Sequence, residues 1–214
     1  MITYQLHLIR HAQTEANREG LFLGQTDVPI SEQGRQEVYT YLEKFDYPAV
    51  QKVYVSPLLR CRQTAEILYP DHLTKIIYDL QECDFGDMEG KTMEQLKESE
   101  SLKSFLNDGF DYHILNGESG QEFLARVVRG LEEIFQDMME KKVTRAACIT
   151  HGGVITMLMC ALAVPQKEAS FWMPQNATGY TILFTPSMWM RDKKIEAYSY
   201  IPIPKEENGE WKEE

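Results

Sequence analysis

The sequence predicts an α/β fold in which helices cover a largely parallel sheet. Three short apolar segments have the length and composition of buried strands, and each is followed by residues that favour a helix start. These segments are Tyr4 to Ile9, Lys52 to Val55 and Arg145 to Thr150. Alternation of strands and helices along a chain favours a parallel sheet with helices packed against it. A chain of 214 residues with 43% hydrophobic content is sufficient for one domain with a sizeable core.

Two helices are predicted to follow the first and second strands. Ser31 is a suitable N-cap for a helix that continues to about Phe45, since its side-chain oxygen can accept a hydrogen bond from the first turn. Ser56 followed by Pro57 predicts a second start, with a helix through Leu68, because proline is pre-set for a first helical turn.

Two capping boxes predict further helix starts. Thr92 with Gln95 is the first, and Ser119 with Glu122 is the second. The second box opens a long amphipathic helix, because apolar residues recur behind it at helical spacing. Its predicted core-facing residues are Phe123, Val127, Leu131, Ile134 and Phe135.

The C-terminal part predicts one more helix, from Gly152 to about Leu162, and two late strands, Thr181 to Thr185 and Ile195 to Ile201. Asn107 to Gly117 is the least regular segment and is predicted to be a loop that could overhang a site. We expect a single domain over residues 1–204 and a charged, disordered tail over residues 205–214.

Composition excludes several classes of partner. The net charge of −11 repels phosphate backbones, so nucleic acid is not expected to bind. No run of 18 apolar residues predicts a membrane span, and residues 1–10 lack a secretory pattern, so a cytoplasmic protein is expected. The four cysteines have no C-x-x-C spacing, and disulfides are not expected. The oligomeric state is left open, with a homodimer as one option.

Cationic and imidazole side chains follow the three predicted strands. Arg10 and His11 follow the first, Arg60 the second and His151 the third. Because the carboxyl ends of parallel strands meet at one edge of a sheet, these side chains should converge on one crevice. A tetrahedral dianion is the natural occupant of so much local positive charge. The helix predicted to begin at Gly152 would add backbone donors and a positive dipole end.

Five motifs, in the same order, resemble those of the histidine phosphatase superfamily, also called phosphoglycerate-mutase-like. The first resembles the signature R-H-G-x-T-x-x-N, and the resemblance extends over about three quarters of the chain. It implies a three-layer α/β sandwich with helices on both faces of a mostly parallel central sheet, and it places the chain in the phosphatase branch. The motifs are Leu8 to Asn17, Gly24 to Gly34, Ser56 to Ala65, Glu82 to Gly90 and Thr150 to Gly153.

The resemblance implies a role for each matching residue. His11 would be the nucleophile, and a neutral imidazole nitrogen is chemically suited to attack phosphorus. Glu82 would serve as the acid and base of the two half-reactions, with His151 as the third catalytic residue. The phosphate-binding residues would be Arg10, Asn17, Arg60, His151 and Gly152. Two departures stand out: Ala12 replaces a glycine and would be strained if that position required a positive φ, and Leu23 replaces a small hydroxyl residue.

The predicted function is hydrolysis of a small phosphomonoester through a phosphohistidine, without metal or cofactor. The histidines lack metal-ligand spacing, and two arginines would repel a cation. No cysteine has the short loop and arginine of a cysteine phosphatase. Phosphoglycerate mutase activity is the nearest alternative, and a phosphohistidine signalling or carrier module is another. Sugar phosphates, a nucleoside-like monophosphate such as α-ribazole phosphate, and a broad range all remain open as substrates.

Overall fold

The computed structural model describes residues 2–205. The strands are β1 (Tyr4–Arg10), β2 (Phe45–Asp46), β3 (Lys52–Val55), β4 (Thr74–Ile76), β5 (Arg145–Thr150), β6 (Ala163–Val164), β7 (Gly179–Phe184), β8 (Ile195–Ile201) and β9 (Ile203–Pro204). The α-helices are α1 (Glu15–Arg18), α2 (Glu32–Lys44), α3 (Leu59–Leu68), α4 (Glu100–Asn107), α5 (Gly120–Glu140), α6 (Gly152–Leu162), α7 (Ala169–Trp172) and α8 (Pro186–Asp192).

Seven strands form one central sheet, in the order β4-β3-β5-β1-β7-β8-β6. The four strands from β4 to β1 are parallel, β7 is antiparallel to both of its neighbours, and β6 is parallel to β8. The sheet is therefore mostly parallel, as predicted. The short strands β2 and β9 form a separate antiparallel pair.

Side chains along each strand point alternately to the two faces of the sheet, so the core is divided into two layers. Leu6 and Leu8 of β1 point to the face covered by α5 and α6, whereas Ile9 points to the face covered by α2 and α3. The same division holds for Tyr54 and Val55 of β3. Successive strand residues point to opposite faces, so both faces of this sheet are buried under helices. The predicted three-layer sandwich is confirmed.

The register of the parallel strands brings their carboxyl ends to the same edge. Arg10 of β1 lies opposite Thr150 of β5, and Val55 of β3 lies opposite Ile149. The backbone continues this pairing beyond the strand end, because the His11 N–H donates to the Thr150 carbonyl at 2.9 Å. The residues that follow these three strands are consequently neighbours, as the topology requires.

A buried carboxylate, that of Asp137, stabilises the end of the sheet opposite the carboxyl ends of its parallel strands. Asp137 of α5 accepts hydrogen bonds from Tyr54 at 2.7 Å, Lys141 at 2.7 Å and Lys75 at 3.2 Å, and it also pairs with Lys52. Burial raises the pKa of Asp137, but these hydrogen bonds outweigh it and hold the pKa below its usual value. The cluster joins α5 to β3 and β4.

Several predicted elements need correction. The helix after the second strand begins at Leu59 rather than at Ser56, because the Ser56 hydroxyl faces His151 and Asp27 caps the Leu59 N–H at 2.6 Å instead. Both hydrogen bonds of the predicted capping box between Thr92 and Gln95 form, at 2.8 and 3.2 Å. Turns follow them instead of the predicted helix.

The C-terminal third also differs in part from its prediction. Helices α7 and α8 in this third, and α1 and α4 earlier in the chain, are additional to those predicted, and the late strand β7 begins two residues earlier, at Gly179. Lys205 belongs to the fold rather than to a disordered tail, because its N–H donates to the Lys44 carbonyl at 3.0 Å. The rest of the predicted tail, residues 206–214, lies outside the described residues. Among the helices of residues 2–205, none combines the length and the apolar composition of a membrane span.

Candidate active site

His11 lies one residue beyond β1 and is almost completely buried. Its Nδ1 lies 2.7 Å from the Ala12 carbonyl oxygen, which can only accept, so Nδ1 carries the proton and Nε2 carries the lone pair. Burial and the positive charges of Arg60 and Arg10 hold the pKa of His11 well below its ordinary value. The imidazole is therefore neutral at neutral pH, with one nitrogen ready to act as a nucleophile.

His151 is the residue that precedes α6 and is fully buried. Its Nε2 lies 2.8 Å from the Ser56 hydroxyl, which follows β3. The ring centroids of His151 and His11 are 5.3 Å apart with an interplanar angle of 64°. Burial and the charge of Arg60 hold the pKa of His151 well below its usual value. The two imidazoles thus form one pair, as predicted from the sequence.

Two arginines provide the positive charge of the site. Arg60, in the first turn of α3, is fully buried and donates to the carbonyls of Thr26 at 2.8 Å and Gly24 at 2.6 Å. Arg10 donates to the Pro174 carbonyl at 2.9 Å. Both Nε atoms are buried and have no acceptor within residues 2–205. An anion with several oxygens in the crevice would satisfy these donors.

The loop that holds Arg60 is itself fixed by Glu89. The Glu89 carboxylate accepts from the Gly24 N–H at 2.8 and 3.0 Å and from the Thr26 N–H at 3.3 Å. A Cβ at Gly24 would lie 2.3 Å from the Cys83 carbonyl oxygen, so only glycine fits this close approach. Glu89 lies in the motif Glu82 to Gly90, but nothing in the local sequence indicates this role.

Glu82 is buried with its carboxylate facing the start of α6. Its two oxygens accept from the Cys83 N–H and the Gly153 N–H, each at 3.0 Å. Burial raises the pKa of Glu82, although these hydrogen bonds and the charges of Arg60 and Arg10 oppose the rise. A Cβ at Gly153 would lie 2.3 Å from Glu82 Oε1, which explains the glycine. The carboxyl group can therefore hold a proton at a higher pH than an exposed glutamate.

Arg126 fixes the backbone that carries Glu82. It pairs with Glu118 at 2.7 and 2.8 Å and donates to the carbonyls of Asp79 at 2.8 Å, Gln81 at 3.0 Å and Glu82 at 3.2 Å. By local pattern alone an arginine at this position of a long helix would face solvent or form an ion pair along the helix. Arg126 instead binds carbonyls of the chain before Glu82, which folds over α5.

The remaining predicted residues lie close to the same crevice. Asn17 is the third residue of α1, and its Oδ1 accepts from the Thr14 N–H at 3.2 Å. Gly152 opens α6, and a Cβ there would lie 3.2 Å from Arg10 Nε and 3.0 Å from Met173 Sδ. The crevice therefore brings together side chains or backbone from every motif that the sequence singled out.

Residues 6–192 match the family model of the histidine phosphatase superfamily, branch 1. The chain belongs to the histidine phosphatase superfamily. This confirms the resemblance inferred from the five motifs.

Two curated relatives illustrate the range of the superfamily. An adenosylcobalamin/alpha-ribazole phosphatase from Salmonella typhimurium is 30% identical over 177 residues, covering 78% of this chain and 83% of that protein. A Shigella boydii protein named "probable phosphoglycerate mutase GpmB" is 28% identical over 191 residues, covering 87% of each. The two names describe different reactions, so sequence similarity alone does not choose between hydrolysis and mutase activity.

Solved structures share the fold. The crystal structure of a phosphoglycerate mutase from Thermus thermophilus has a TM-score of 0.70 and 26% identity, covering 93% of this chain and 99% of that one. The alpha-ribazole phosphatase from Shigella flexneri has a TM-score of 0.72 and 23% identity, covering 91% of this chain and 94% of that one. The second likeness is evidence for the fold alone.

The departure at Ala12 causes no backbone strain in this superfamily member. Positive φ values among the described non-glycine residues occur at Asn116, Lys142, Ala177 and Lys193. Ala12 is fully buried in the layer beneath α2 and α3, and its N–H donates to Thr64 Oγ1 at 2.9 Å. Its methyl group therefore packs in the core. Residues 2–205 contain no group of three His, Cys, Asp or Glu side chains placed to hold a metal ion.

Acid should destabilise the protein through buried histidines, and His7 offers a direct test. His7 lies in β1 with Nδ1 2.9 Å from Thr181 Oγ1, and burial lowers its pKa to about 4 from 6.5. In the unfolded chain the His7 imidazole binds a proton near pH 6.5, whereas in the folded chain it stays neutral until about pH 4. The free energy of unfolding therefore decreases as pH falls from about 6.5 to about 4. This group contributes a loss of about 3 kcal/mol over that range.

Chemical denaturation at several pH values measures the effect. Between about pH 6.5 and about pH 4, the free energy of unfolding of His7→Gln should fall by about 3 kcal/mol less than that of the wild-type chain. Substitution of the exposed His113 by Gln is the matched control and should leave the pH dependence unchanged. Identical pH dependence in His7→Gln and the wild type would contradict the assignment.

Proposed function

We propose that this protein hydrolyses small phosphomonoesters through a phosphohistidine formed on His11. The observation that carries the proposal is the 2.7 Å hydrogen bond between His11 Nδ1 and the Ala12 carbonyl, which leaves the lone pair on Nε2. Burial also raises the pKa of Glu82. A neutral nucleophile and a carboxylic acid beside two guanidinium groups are the parts that phosphoryl transfer requires.

In the first half-reaction the His11 Nε2 lone pair attacks phosphorus, and the bond from phosphorus to the ester oxygen breaks. The protonated Glu82 carboxyl gives its proton to that oxygen, and the alcohol leaves. Arg10, Arg60 and His151 surround the equatorial oxygens, with the Asn17 amide as a further donor. Donors that are fixed before the reaction stabilise the charge of the transition state without reorganisation.

In the second half-reaction water attacks the phosphohistidine. The Glu82 carboxylate accepts the proton from this water, the bond from phosphorus to Nε2 breaks, and the electron pair returns to the imidazole. One carboxyl group thus acts as acid and then as base. Inorganic phosphate and the resting enzyme are the products. No step requires a metal ion or a cofactor.

Hydrolysis is favoured over mutase activity by the arrangement of the cations. A mutase must hold the carboxylate of its phosphorylated acid, which calls for arginines available near the leaving group. Arg126, the further arginine that reaches the Glu82 loop, is bound by Glu118 at 2.7 Å and by three backbone carbonyls. The name of the Salmonella relative agrees with a phosphatase acting on a nucleoside-like monophosphate.

Further properties follow as part of the same proposal. The net charge of −11 makes nucleic acid an unsuitable partner and is compatible with a cytoplasmic enzyme of small metabolites. We propose Arg10, Asn17, Arg60, His151 and Gly152 as the phosphate site, with His11 and Glu82 as the reacting groups. A homodimer remains one option for the assembly.

Phosphate release from 4-nitrophenyl phosphate in the presence of EDTA tests the proposal. We expect many turnovers per enzyme with no requirement for added metal. Incubation with 3-phosphoglycerate should yield inorganic phosphate rather than 2-phosphoglycerate. A single burst without turnover would instead indicate a carrier, and net formation of 2-phosphoglycerate would indicate a mutase; either result would overturn the proposal.

A further inference from the structure

Asn176 lies behind the crevice and touches two of the residues that form it. Its Nδ2 donates to the His11 carbonyl at 3.0 Å and to Asn17 Oδ1 at 3.3 Å. The residue precedes β7 by three positions and is partly buried. No sequence motif pointed to it. Asn176 therefore connects the segment that bears the nucleophile with a proposed phosphate ligand.

The backbone around Asn176 is held in a fixed shape. Ala177 has a φ of 59°, and its N–H donates to the carbonyls of Arg10 at 3.0 Å and His11 at 3.2 Å. The Arg10 N–H donates in return to the Thr178 carbonyl at 2.9 Å. A left-handed conformation is unfavourable for a residue with a side chain, so the surrounding contacts must impose it. The Asn176 side chain is thereby presented at a fixed place.

This arrangement determines which way the Asn17 amide faces. Asn17 Oδ1 accepts from the Thr14 N–H at 3.2 Å and from Asn176 Nδ2 at 3.3 Å. A half-turn of the amide would place its NH₂ group against these two donors and break both hydrogen bonds. The amide oxygen is therefore kept toward the protein, and the NH₂ group remains to donate to a bound phosphate.

We infer that Asn176 is a positioning residue that fixes the donor orientation of Asn17 for the phosphate. The inference rests on the proposed function, since it assigns a task to a residue of the proposed phosphate site. Asn176 does not touch the reacting atoms, so its effect passes through Asn17. The His11 carbonyl serves as the second anchor that holds the Asn176 amide in place.

A double-mutant cycle on the full chain separates this task from a general structural one. The readouts are kcat/KM for 4-nitrophenyl phosphate and the competitive inhibition constant of inorganic phosphate. Asn17→Ala should reduce kcat/KM about 100-fold, as expected for loss of one donor to the transition state. In the wild-type background, Asn176→Ala should raise the inhibition constant of phosphate about 10-fold and reduce kcat/KM about 10-fold. In the Asn17→Ala background, each of the two changes should be less than about 2-fold.

Asn176→Asp gives a second test that does not depend on the alanine variant folding. The introduced carboxyl is nearly isosteric, and when protonated its single O–H can donate to Asn17 Oδ1, although not to the His11 carbonyl at the same time. The ratio of its phosphate inhibition constant to that of the wild type should therefore decrease as pH falls toward about 4. Gln175→Glu, the same chemical change at the exposed neighbouring residue, is the control and should show no such trend.

The outcomes distinguish two kinds of failure. If Asn17→Ala leaves both readouts unchanged, the proposed phosphate site itself is wrong. If Asn17→Ala is impaired but Asn176→Ala has no effect, or the two losses multiply in the double variant, Asn176 does not act through Asn17. A pH-independent ratio for Asn176→Asp also overturns the inference.

Discussion

His11→Ala should lose phosphohistidine formation completely and reduce kcat by a factor on the order of 10⁵ to 10⁶, as removal of a covalent nucleophile does. The remaining arginines would still bind the substrate, so KM should change much less than kcat. The loss is expected to be this large because Nε2 of His11 is the proposed nucleophile, and its Nδ1 is held by the Ala12 carbonyl. Cys61 lies in the same site, but burial raises the pKa of its thiol, so it cannot substitute.

Mass spectrometry of enzyme quenched at alkaline pH, where phosphohistidine survives, measures the intermediate directly. The wild-type chain should gain the mass of one phosphoryl group on the peptide that contains His11. His113→Ala removes an exposed imidazole and is the matched control, with both labelling and kcat retained. Labelling that persists in His11→Ala, or that appears on His151, would assign the nucleophile to another residue.

The parts of the site that follow strand ends were predictable from the sequence. Arg10, His11 and His151 stand directly after segments whose apolar pattern predicted buried parallel strands, and parallel strands bring their carboxyl ends together. Arg60 follows after one short turn. Local sequence pattern and the topology of parallel strands were therefore sufficient to predict the sheet, the two long helices α2 and α5 and these four side chains.

The residues that support the site could not be predicted in this way. Asn176 is separated from His11 by 165 positions, and Glu89 from Gly24 by 65, so no local pattern records either contact. Apart from Asn17 Oδ1, their partners are backbone groups, which every residue has, and the sequence therefore carries no complementary signal. The role of Arg126 is hidden from the sequence for the same reason, because its acceptors are backbone carbonyls as well as Glu118.

The errors in element boundaries have a similar cause. Ser56 followed by Pro57 is a good helix start by local rules, but the Ser56 hydroxyl is used by His151, and Asp27 from a distant loop caps α3. Tertiary contacts thus override local preference at the site itself. In contrast, α8 had a local signal, Thr185 as N-cap with Pro186 in the first turn, so that helix was predictable from the sequence.

Glu82→Gln should slow the hydrolysis of alkyl phosphates about 10² to 10⁴-fold, because an alkoxide needs a proton to leave. Aryl phosphates should be affected much less in the first half-reaction, since an aryl oxide leaves without full protonation. Pre-steady-state release of alcohol from the two substrate types measures the difference. Asp84→Asn, a neighbouring carboxylate substitution, is the control and should leave both rates unchanged.

The role of Glu82 also has a pH signature. The pKa of Glu82 is raised, so the acid stays protonated above its usual range, and kcat/KM for alkyl substrates should fall as pH rises through that shifted pKa. In Glu82→Gln this decline should disappear, because the amide has no proton to lose. Equal losses for alkyl and aryl substrates would remove Glu82 as the proton donor and leave protonation of the leaving group to solvent.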